Sequence, residues 1–152
     1  MIAVGIDPGK SGGLVKIHSR NNECSMHKCP NTTQEMASLL RTAKNSAFVD
    51  NLPILVAIEK VHAFPTDARS AAFKFGMNYG MWIGILAANN QFPNHITPQK
   101  WQKAYHPLPK VKKDRKKKLY ELASDMFPEV KVTYMVCDAL LIAAYGMSHD
   151  KD

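Results

Sequence analysis

The chain has 152 residues, of which 45% are hydrophobic and 22% charged, a composition that predicts one globular domain with one hydrophobic core. No apolar run approaches the roughly 20 residues of a membrane span, so we expect no membrane association. The N-terminal segment lacks a basic leader and a small-residue cleavage site, and three cysteines are too few for a disulfide framework. These features favour a cytoplasmic protein.

The positive charge of the chain is concentrated in one block. Twenty Lys and Arg against thirteen Asp and Glu give a formal net charge of +7, but segment 100–118 alone sums to +8 and the rest to −1. Such a block indicates a surface for a polyanion, nucleic acid above all. The alternative is a solvated helix face followed by a flexible loop. The block contains Lys100, Lys103, Lys110, Lys112, Lys113, Arg115, Lys116, Lys117 and Lys118, with Asp114 as its one acid.

Strands are predicted to dominate the first 60 residues. Short β-branched runs indicate strands at 2–6, 12–17 and 24–29, and the continuous apolar run 53–58 suits a central strand covered on both faces. Between the third and fourth strands, Thr32 or Thr33 is expected to cap a helix that reaches about Lys44.

Helices are predicted to dominate the remainder, at 70–89, 98–104, 114–127 and 136–145, with one short strand near 95–97. The pattern predicts a mixed α/β domain without regular βαβ alternation. Met77 and Met81 belong to a stripe of apolar residues that recur at every fourth position, interpreted as core or as a subunit interface. Gly76, Gly80 and Gly84 repeat at the same spacing and allow close helix packing.

Three carboxylates lie where apolar segments begin or end. Asp7 follows the first strand, Glu59 closes the run 53–58, and Asp138 opens the last apolar helix. If they converge, they would suit Mg²⁺ or Mn²⁺, which take oxygen ligands, and two such ions can assist phosphodiester hydrolysis. Taken singly, each acid has a simpler explanation. Asp7 could be a turn residue, Glu59 could pair with Lys60 or Arg69, and Asp138 could cap a helix.

Five segments, in order along nearly the whole chain, resemble the motifs of RuvC-type Holliday-junction resolvases, particularly the phage-encoded branch. They are GIDPGKSGG (5–13), IEKVHAFP (58–65), SAAFKFGMNYG (70–80), TPQKW (97–101) and DALLIA (138–143). The resemblance implies a single RNase H-like domain over 1–152, with a five-stranded mixed sheet flanked by helices. It also implies a homodimer that makes paired nicks in four-way DNA junctions.

The resemblance further assigns roles to residues. Asp7 would bridge two Mg²⁺ or Mn²⁺ ions, with Glu59 holding one and Asp138 the other or both. Cleavage would leave a 5′-phosphate, with Lys103 or Lys113 offsetting charge on the phosphate. By their position after Glu59, His62 and Phe64 are candidates for stacking on an unpaired base, with packing as the alternative for Phe64. Trp101 is interpreted as a helix anchor in the core, with base stacking as its alternative. The predicted DNA-binding set is Lys10, His62, Phe64, Lys100, Lys103, Lys110, Lys112, Lys113, Arg115, Lys116 and Lys117.

One position departs from the family pattern. A further acid, or a histidine, commonly stands one helical turn before the last aspartate, and here Met135 occupies that place. Methionine is no ligand for Mg²⁺. Either water or another residue replaces it, or the chain binds junctions with impaired cleavage. A nuclease for RNA–DNA hybrids is a third alternative, since phosphate contacts carry no sequence information.

Overall fold

A computed structural model describes residues 1–62 and 66–149. Three strands come first in the chain and three helices come last, and strands and helices alternate only between them. The strands are β1 (Ile2–Asp7), β2 (Gly13–His18), β3 (Cys24–Lys28), β4 (Ile54–Glu59) and β5 (Asn94–Ile96). The helices are α1 (Thr33–Val49), α2 (Arg69–Ala88), α3 (Pro98–Lys103), α4 (Lys112–Met126) and α5 (Cys137–Ser148).

The five strands form one mixed sheet in the order β3-β2-β1-β4-β5. β1, β2 and β3 pair antiparallel, whereas β1, β4 and β5 pair parallel. Ile6 lies opposite Ile58 in the parallel pair, so the next residues, Asp7 and Glu59, end neighbouring strands at one edge of the sheet. The expected five-stranded mixed sheet is confirmed.

Each face of the sheet carries its own layer of helices, because successive strand residues point to opposite faces. Ile2, Val4 and Ile6 pack with buried residues of α1 and α2. Ala3 packs on the other face with residues of α3, α4 and α5. α5 contributes an almost entirely buried run, which is why its sequence is apolar on every side.

Gly5 brings α5 directly onto β1. A Cβ atom added at this position would lie 2.1 Å from the carbonyl oxygen of Ala139, so only glycine permits the contact. Ala139 follows Asp138 at the start of α5. The close approach therefore fixes the third predicted acid next to the strand that ends at Asp7.

The prediction that the methionine stripe of α2 is core is wrong for Met77 and is confirmed for Met81. Met77 is 50% exposed, as is Phe73 four residues earlier at 71%, whereas Met81 and Ile85 are partly buried and pack against the core. Fourfold spacing advances about 400° along a helix, so the stripe drifts around the axis by about 40° at each step. Its first half consequently faces away from the core that its second half reaches.

Element ends differ modestly from the predicted ones. α1 continues to Val49, beyond the expected end at Lys44, and begins with a capping box between Thr32 and Glu35. α5 begins at Cys137, so Met135 lies in the turn before the helix and not within its first turn. No helix in the described part of the chain combines the length and apolar character needed to cross a bilayer.

Candidate active site

The three predicted acids lie around one cavity at the carboxyl edge of the parallel strands. Asp7 from β1, Glu59 from β4 and Asp138 from α5 all line this cavity of about 580 Å³. An adjoining cavity of about 410 Å³ shares Asp7 and Asp138 and continues along α4. The structure thus brings together three carboxylates that are 131 residues apart at their extremes.

The carboxylates are neighbours without forming a closed ligand cage. Within residues 1–62 and 66–149, no group of three or more His, Cys, Asp or Glu side chains is arranged so that it could hold a metal ion. Glu59 accepts a hydrogen bond from the indole of Trp101, and Asp138 accepts one from the ammonium of Lys116. In chemical type, three carboxylates nonetheless fit a hard divalent cation.

Asp7 is the most strongly perturbed acid of the site. Burial, reinforced by the negative charges of Glu59 and Asp138, raises its pKa to about 7, against a smaller opposing effect of Lys116. No hydrogen bond or ion pair joins its carboxylate to another residue of the described chain. A positive charge placed here would relieve the repulsion that raises this pKa.

Glu59 is held by a tryptophan. The indole Nε1 of Trp101 donates a 2.8 Å hydrogen bond to Glu59 Oε1. Burial raises the pKa of Glu59, and the hydrogen bond from Trp101 opposes this rise. Trp101 is fully buried, which agrees with its predicted role as a core anchor and adds a contact to the site that its sequence position did not suggest.

Asp138 is paired with a lysine of the basic block. Lys116 Nζ lies 2.6 Å from Asp138 Oδ2, while the thiol of Cys137 contacts the other carboxylate oxygen at 3.4 Å. Burial, together with the adjacent Asp138 carboxylate, raises the pKa of Cys137 to about 12. This cysteine is therefore a buried neutral thiol at neutral pH.

One face of α4 forms the basic wall of the site. Lys112, Arg115 and Lys116 line the cavities that hold the acids, and Leu119 anchors the same face in the core. These positions follow the i, i+3, i+4, i+7 spacing of a single helix face. The basic block therefore supplies part of the site itself as well as solvated surface.

Lys103 and Lys113, the two lysines predicted to act at the phosphate, do not reach the cavity. Both are exposed, and neither lines either of the two cavities. Lys116 takes the place expected of them. Spacing could not distinguish it from its neighbours, because seven of the nine residues in 110–118 are basic and the phase of α4 decides which of them points inward.

The other predicted DNA-binding residues do not all line the cavity of the acids. His62 lines the cavity with Glu59, and Lys10 borders a separate groove beside Lys74. Phe64 lies outside the described residues. Lys100, Lys110 and Lys117 are exposed. Lys117 forms an ion pair with Glu121, with Nζ and Oε1 3.9 Å apart.

Several polar residues of the site, among them Gln102 and Ser11, have no counterpart among the predicted ones. Gln102 lines both cavities, and Ser11 lines the one that follows α4. Met135 borders that same cavity together with Asp138, so the position expected to face the acids does face them. The chain offers no sequence signal for Gln102, an uncharged residue of a short helix.

The sheet order, its mixed pairing and the two helical layers define an RNase H-like α/β fold, with acids at the strand ends. Solved structures of RuvC from Thermus thermophilus share this fold. A complex of that protein with a Holliday junction substrate aligns over 97% of this chain and 95% of its own, with a TM-score of 0.58 and 15% identity. A second RuvC structure aligns over 99% and 97%, with a TM-score of 0.57 and 18% identity.

At these identities the likeness concerns the fold. No protein-family model matches the chain, and no curated protein matches its sequence. The predicted RuvC-like architecture is confirmed, and assignment to a phage-encoded branch stays a prediction.

Proposed function

We propose that the chain is a divalent-metal-dependent endonuclease that cuts branched DNA, four-way junctions in particular, by paired nicks. The observation that carries this proposal is the convergence of Asp7, Glu59 and Asp138 from three elements on one cavity. A basic helix face borders the same cavity. Acids for a cation and bases for a phosphate are what phosphodiester hydrolysis needs at one place.

Asp7, Glu59 and Asp138 would hold Mg²⁺ or Mn²⁺, two ions per site in the family that the sequence resembles. Bound there, divalent ions activate water and stabilise the leaving oxygen. The raised pKa of Asp7 supports this assignment, because burial and the neighbouring carboxylates Glu59 and Asp138 disfavour its charged form more than Lys116 favours it. Met135 lacks a ligand atom for these ions, so the protein supplies three acids and not four.

Lys112, Arg115 and Lys116 would bind the phosphates beside the cut. Lys116 is the best placed to offset charge on the scissile phosphate, because it already reaches Asp138. The exposed lysines, including Lys103 and Lys113, would contact phosphates further along the duplex arms. Such contacts supply affinity and orientation, not sequence preference.

A homodimer would place two such sites on one junction, whose approximate twofold symmetry matches that of a C₂ pair. The exposed Phe73 and Met77 support α2 as the contact surface. So does the open glycine face of α2, where an added Cβ at Gly76, Gly80 or Gly84 meets nothing within 4 Å. Exposed apolar side chains beside glycines suit close approach of a second helix.

The decisive experiment compares cleavage of a four-way junction, a linear duplex and an RNA–DNA hybrid, each with Mg²⁺, Mn²⁺ or EDTA. We expect cleavage of the junction alone, dependent on the metal and leaving 5′-phosphates. Asp7→Asn, Glu59→Gln and Asp138→Asn should abolish cleavage and keep junction binding. Asp50→Asn, outside both cavities, should retain cleavage as well as binding.

Two results would contradict the proposed function and indicate another one. Tight junction binding by the wild type without cleavage in either metal would make the chain a binding protein of this fold. Cleavage confined to the hybrid would make it an RNA-directed nuclease.

A further inference from the structure

We propose that Trp101 is a positioning residue that sets the orientation of the Glu59 carboxylate for a divalent cation. The inference rests on the proposed function, because it assumes that Glu59 binds metal. The indole N–H of Trp101 donates a 2.8 Å hydrogen bond to one carboxylate oxygen of Glu59, Oε1. The other oxygen of Glu59 is left for the ion. The partners of the acids therefore differ in charge, since Asp138 is paired with the charged Lys116 and Glu59 with a neutral indole.

The chemistry of the donor matters. An indole N–H donates and cannot accept, so Glu59 Oε1 is the acceptor and the hydrogen bond restrains the rotation of the carboxylate. The donor is neutral, so the negative charge of Glu59 remains for a cation. A lysine in the same place would orient the carboxylate and also neutralise it. Partners of this kind, behind a metal ligand, fix ligand geometry in many metal sites.

The position of Trp101 is itself fixed by the sheet. Glu59 is paired with Ile96 across β4 and β5, and the amide of Lys60 donates to the Ile96 carbonyl at 2.8 Å. Thr97 then caps α3 through the amide of Lys100. Trp101 therefore stands one helical turn beyond Thr97, which directly follows the strand partner of Glu59.

A second contact joins Trp101 to the helix of Asp138. The ring of Tyr105 packs edge-on against Trp101 with centroids 6.2 Å apart. Its hydroxyl donates to the carbonyl of Leu141 in α5 at 2.8 Å. Glu59, Trp101, Tyr105 and Leu141 thus form one connected series between the elements that bear two of the three acids. Exposure of Trp101 is 0%, so solvent does not compete for its N–H.

The chain contains a matched control. It has two tryptophans, and Trp82 is also fully buried. In the described part of the chain, the Nε1 of Trp82 has no hydrogen-bond partner. Replacing either residue by Phe removes a buried indole N–H, but only at Trp101 does the change release a carboxylate.

The hydrogen bond is tested by ¹H–¹⁵N spectra, in which two tryptophans give two indole signals assigned with Trp82→Phe and Trp101→Phe. Glu59→Ala, which removes the acceptor, should move the Trp101 indole proton upfield and leave the Trp82 signal in place. This measurement keeps both rings and needs no metal. An unmoved Trp101 signal would overturn the proposal.

The effect on the cation is tested by Mn²⁺ binding, measured from the electron paramagnetic resonance of free Mn²⁺. Trp101→Phe should raise the Mn²⁺ Kd by about 10- to 100-fold, the usual effect of losing such a supporting partner, and Trp82→Phe should leave it unchanged. With junction DNA, half-saturating Mg²⁺ should rise likewise while junction Kd in EDTA stays constant. Should Trp101→Phe unfold, benzothienylalanine in a Trp82→Phe background removes the N–H and retains the ring shape.

The outcomes separate the two proposals. Equal losses of Mn²⁺ affinity in the two Phe variants would make Trp101 a packing residue and overturn the inference. Normal Mn²⁺ binding with the expected Trp101 effect, but no cleavage of any DNA, would refute the proposed function and leave the positioning role intact. A wild type that binds no Mn²⁺ would overturn both.

Discussion

The ammonium of Lys116 lies 2.6 Å from Oδ2 of Asp138 and joins the basic helix α4 to the acidic start of α5. Burial lowers the pKa of Lys116, but Asp138 and Asp7 outweigh that effect and raise the pKa above its usual value. The lysine is therefore charged at neutral pH. It supplies to the metal-free site a positive charge that a cation would otherwise bring.

Lys116→Met is expected to tighten Mn²⁺ binding and slow cleavage at the same time. Removing the amine frees Asp138 for the ion, and an ion pair of about 1 kcal/mol corresponds to roughly fivefold in affinity. Cleavage at saturating metal should fall, because the phosphate loses its closest cation. Mn²⁺ titration and single-turnover cleavage measure the two effects separately.

Lys117→Met is the control for this substitution. It removes the same charge from the same helix, but Lys117 pairs with Glu121 at 3.9 Å on an exposed face. Its Mn²⁺ affinity should match that of the wild type. Unchanged Mn²⁺ affinity in Lys116→Met would show that Asp138 is not a metal ligand or does not exchange partners.

The sheet and the acids at its edge were predictable from sequence for a physical reason. A buried parallel strand reads as a continuous apolar run, and the runs here end at Asp7 and Glu59, so position along the strand already placed both acids. Asp138 was predictable because α5 is buried on all sides, which makes a carboxylate at its start conspicuous. The motif resemblance then put the three in one site.

The contacts that complete the site were not predictable in the same way. Trp101 reaches Glu59 across 42 residues of sequence, and nothing local marks a neutral donor as the partner of a carboxylate. Lys116 is one of several lysines, and the phase of α4 selects it. For α2, apolar residues at every fourth position resemble a core stripe although the first half is exposed, because this spacing drifts around the helix axis by about 40° at each step.

The metal-free protein is expected to lose stability as pH rises from about 4 to about 7. The pKa of Asp7 is about 7 in the folded protein against 3.8 for a free side chain, so the folded state holds more protons than the unfolded chain in this interval. Raising pH removes those protons and lowers the free energy of unfolding, by at most about 1.4 kcal/mol per pH unit.

Thermal unfolding in EDTA between pH 5 and 8 measures this dependence. Asp7→Asn should flatten the curve and raise the midpoint temperature at pH 8, because it removes the charge whose burial is unfavourable. The raised pKa of Glu59 acts in the same direction, so some slope should remain. Mg²⁺ should stabilise the wild type most at pH 8. Parallel curves for the two proteins would contradict the expectation.

The inward face of α4 is expected to contribute more to junction affinity than its outward face. Each lost phosphate contact reduces the slope of log K against log salt by about 0.9. Replacing both Lys112 and Arg115 by Gln should therefore flatten the slope by about two. The double variant of Lys117 and Lys118 removes equal charge from exposed positions and should flatten it less. Equal changes would show that the block acts only as a diffuse cationic surface.

Gly80→Ala is expected to stabilise the monomer and weaken the dimer. An added Cβ meets nothing within 4 Å in the single chain, and alanine is favoured over glycine in a helix by up to about 1 kcal/mol. In a close helix pair the same methyl group would separate the two backbones. The melting temperature at low concentration should rise, while sedimentation equilibrium should show a larger dimer dissociation constant.

Phe73→Ser tests the same surface by removing an exposed apolar ring. Phe92→Ser, at an 89% exposed position outside α2, is its control and should leave the dimer unaffected. A wild type that sediments only as a monomer at micromolar concentration, with and without junction DNA, would refute the dimer.

Met135→Asp is expected to lower the Mg²⁺ concentration that gives half-maximal cleavage. Met135 borders the same cavity as Asp7 and Asp138, so a carboxylate there adds a fourth acid to three that carry a formal −3 against the +4 of two divalent ions. The substitution should destabilise the metal-free protein, because another negative charge beside Asp7 adds to the repulsion that contributes to the raised pKa of Asp7. The melting temperature in EDTA should therefore fall, and the fall should grow with pH. Phe92→Asp adds the same charge to an exposed position outside the cavity and should change neither quantity. Coincident Mg²⁺ titrations for the wild type and Met135→Asp would show that this side chain does not reach the ions, and that water completes their coordination in the natural protein.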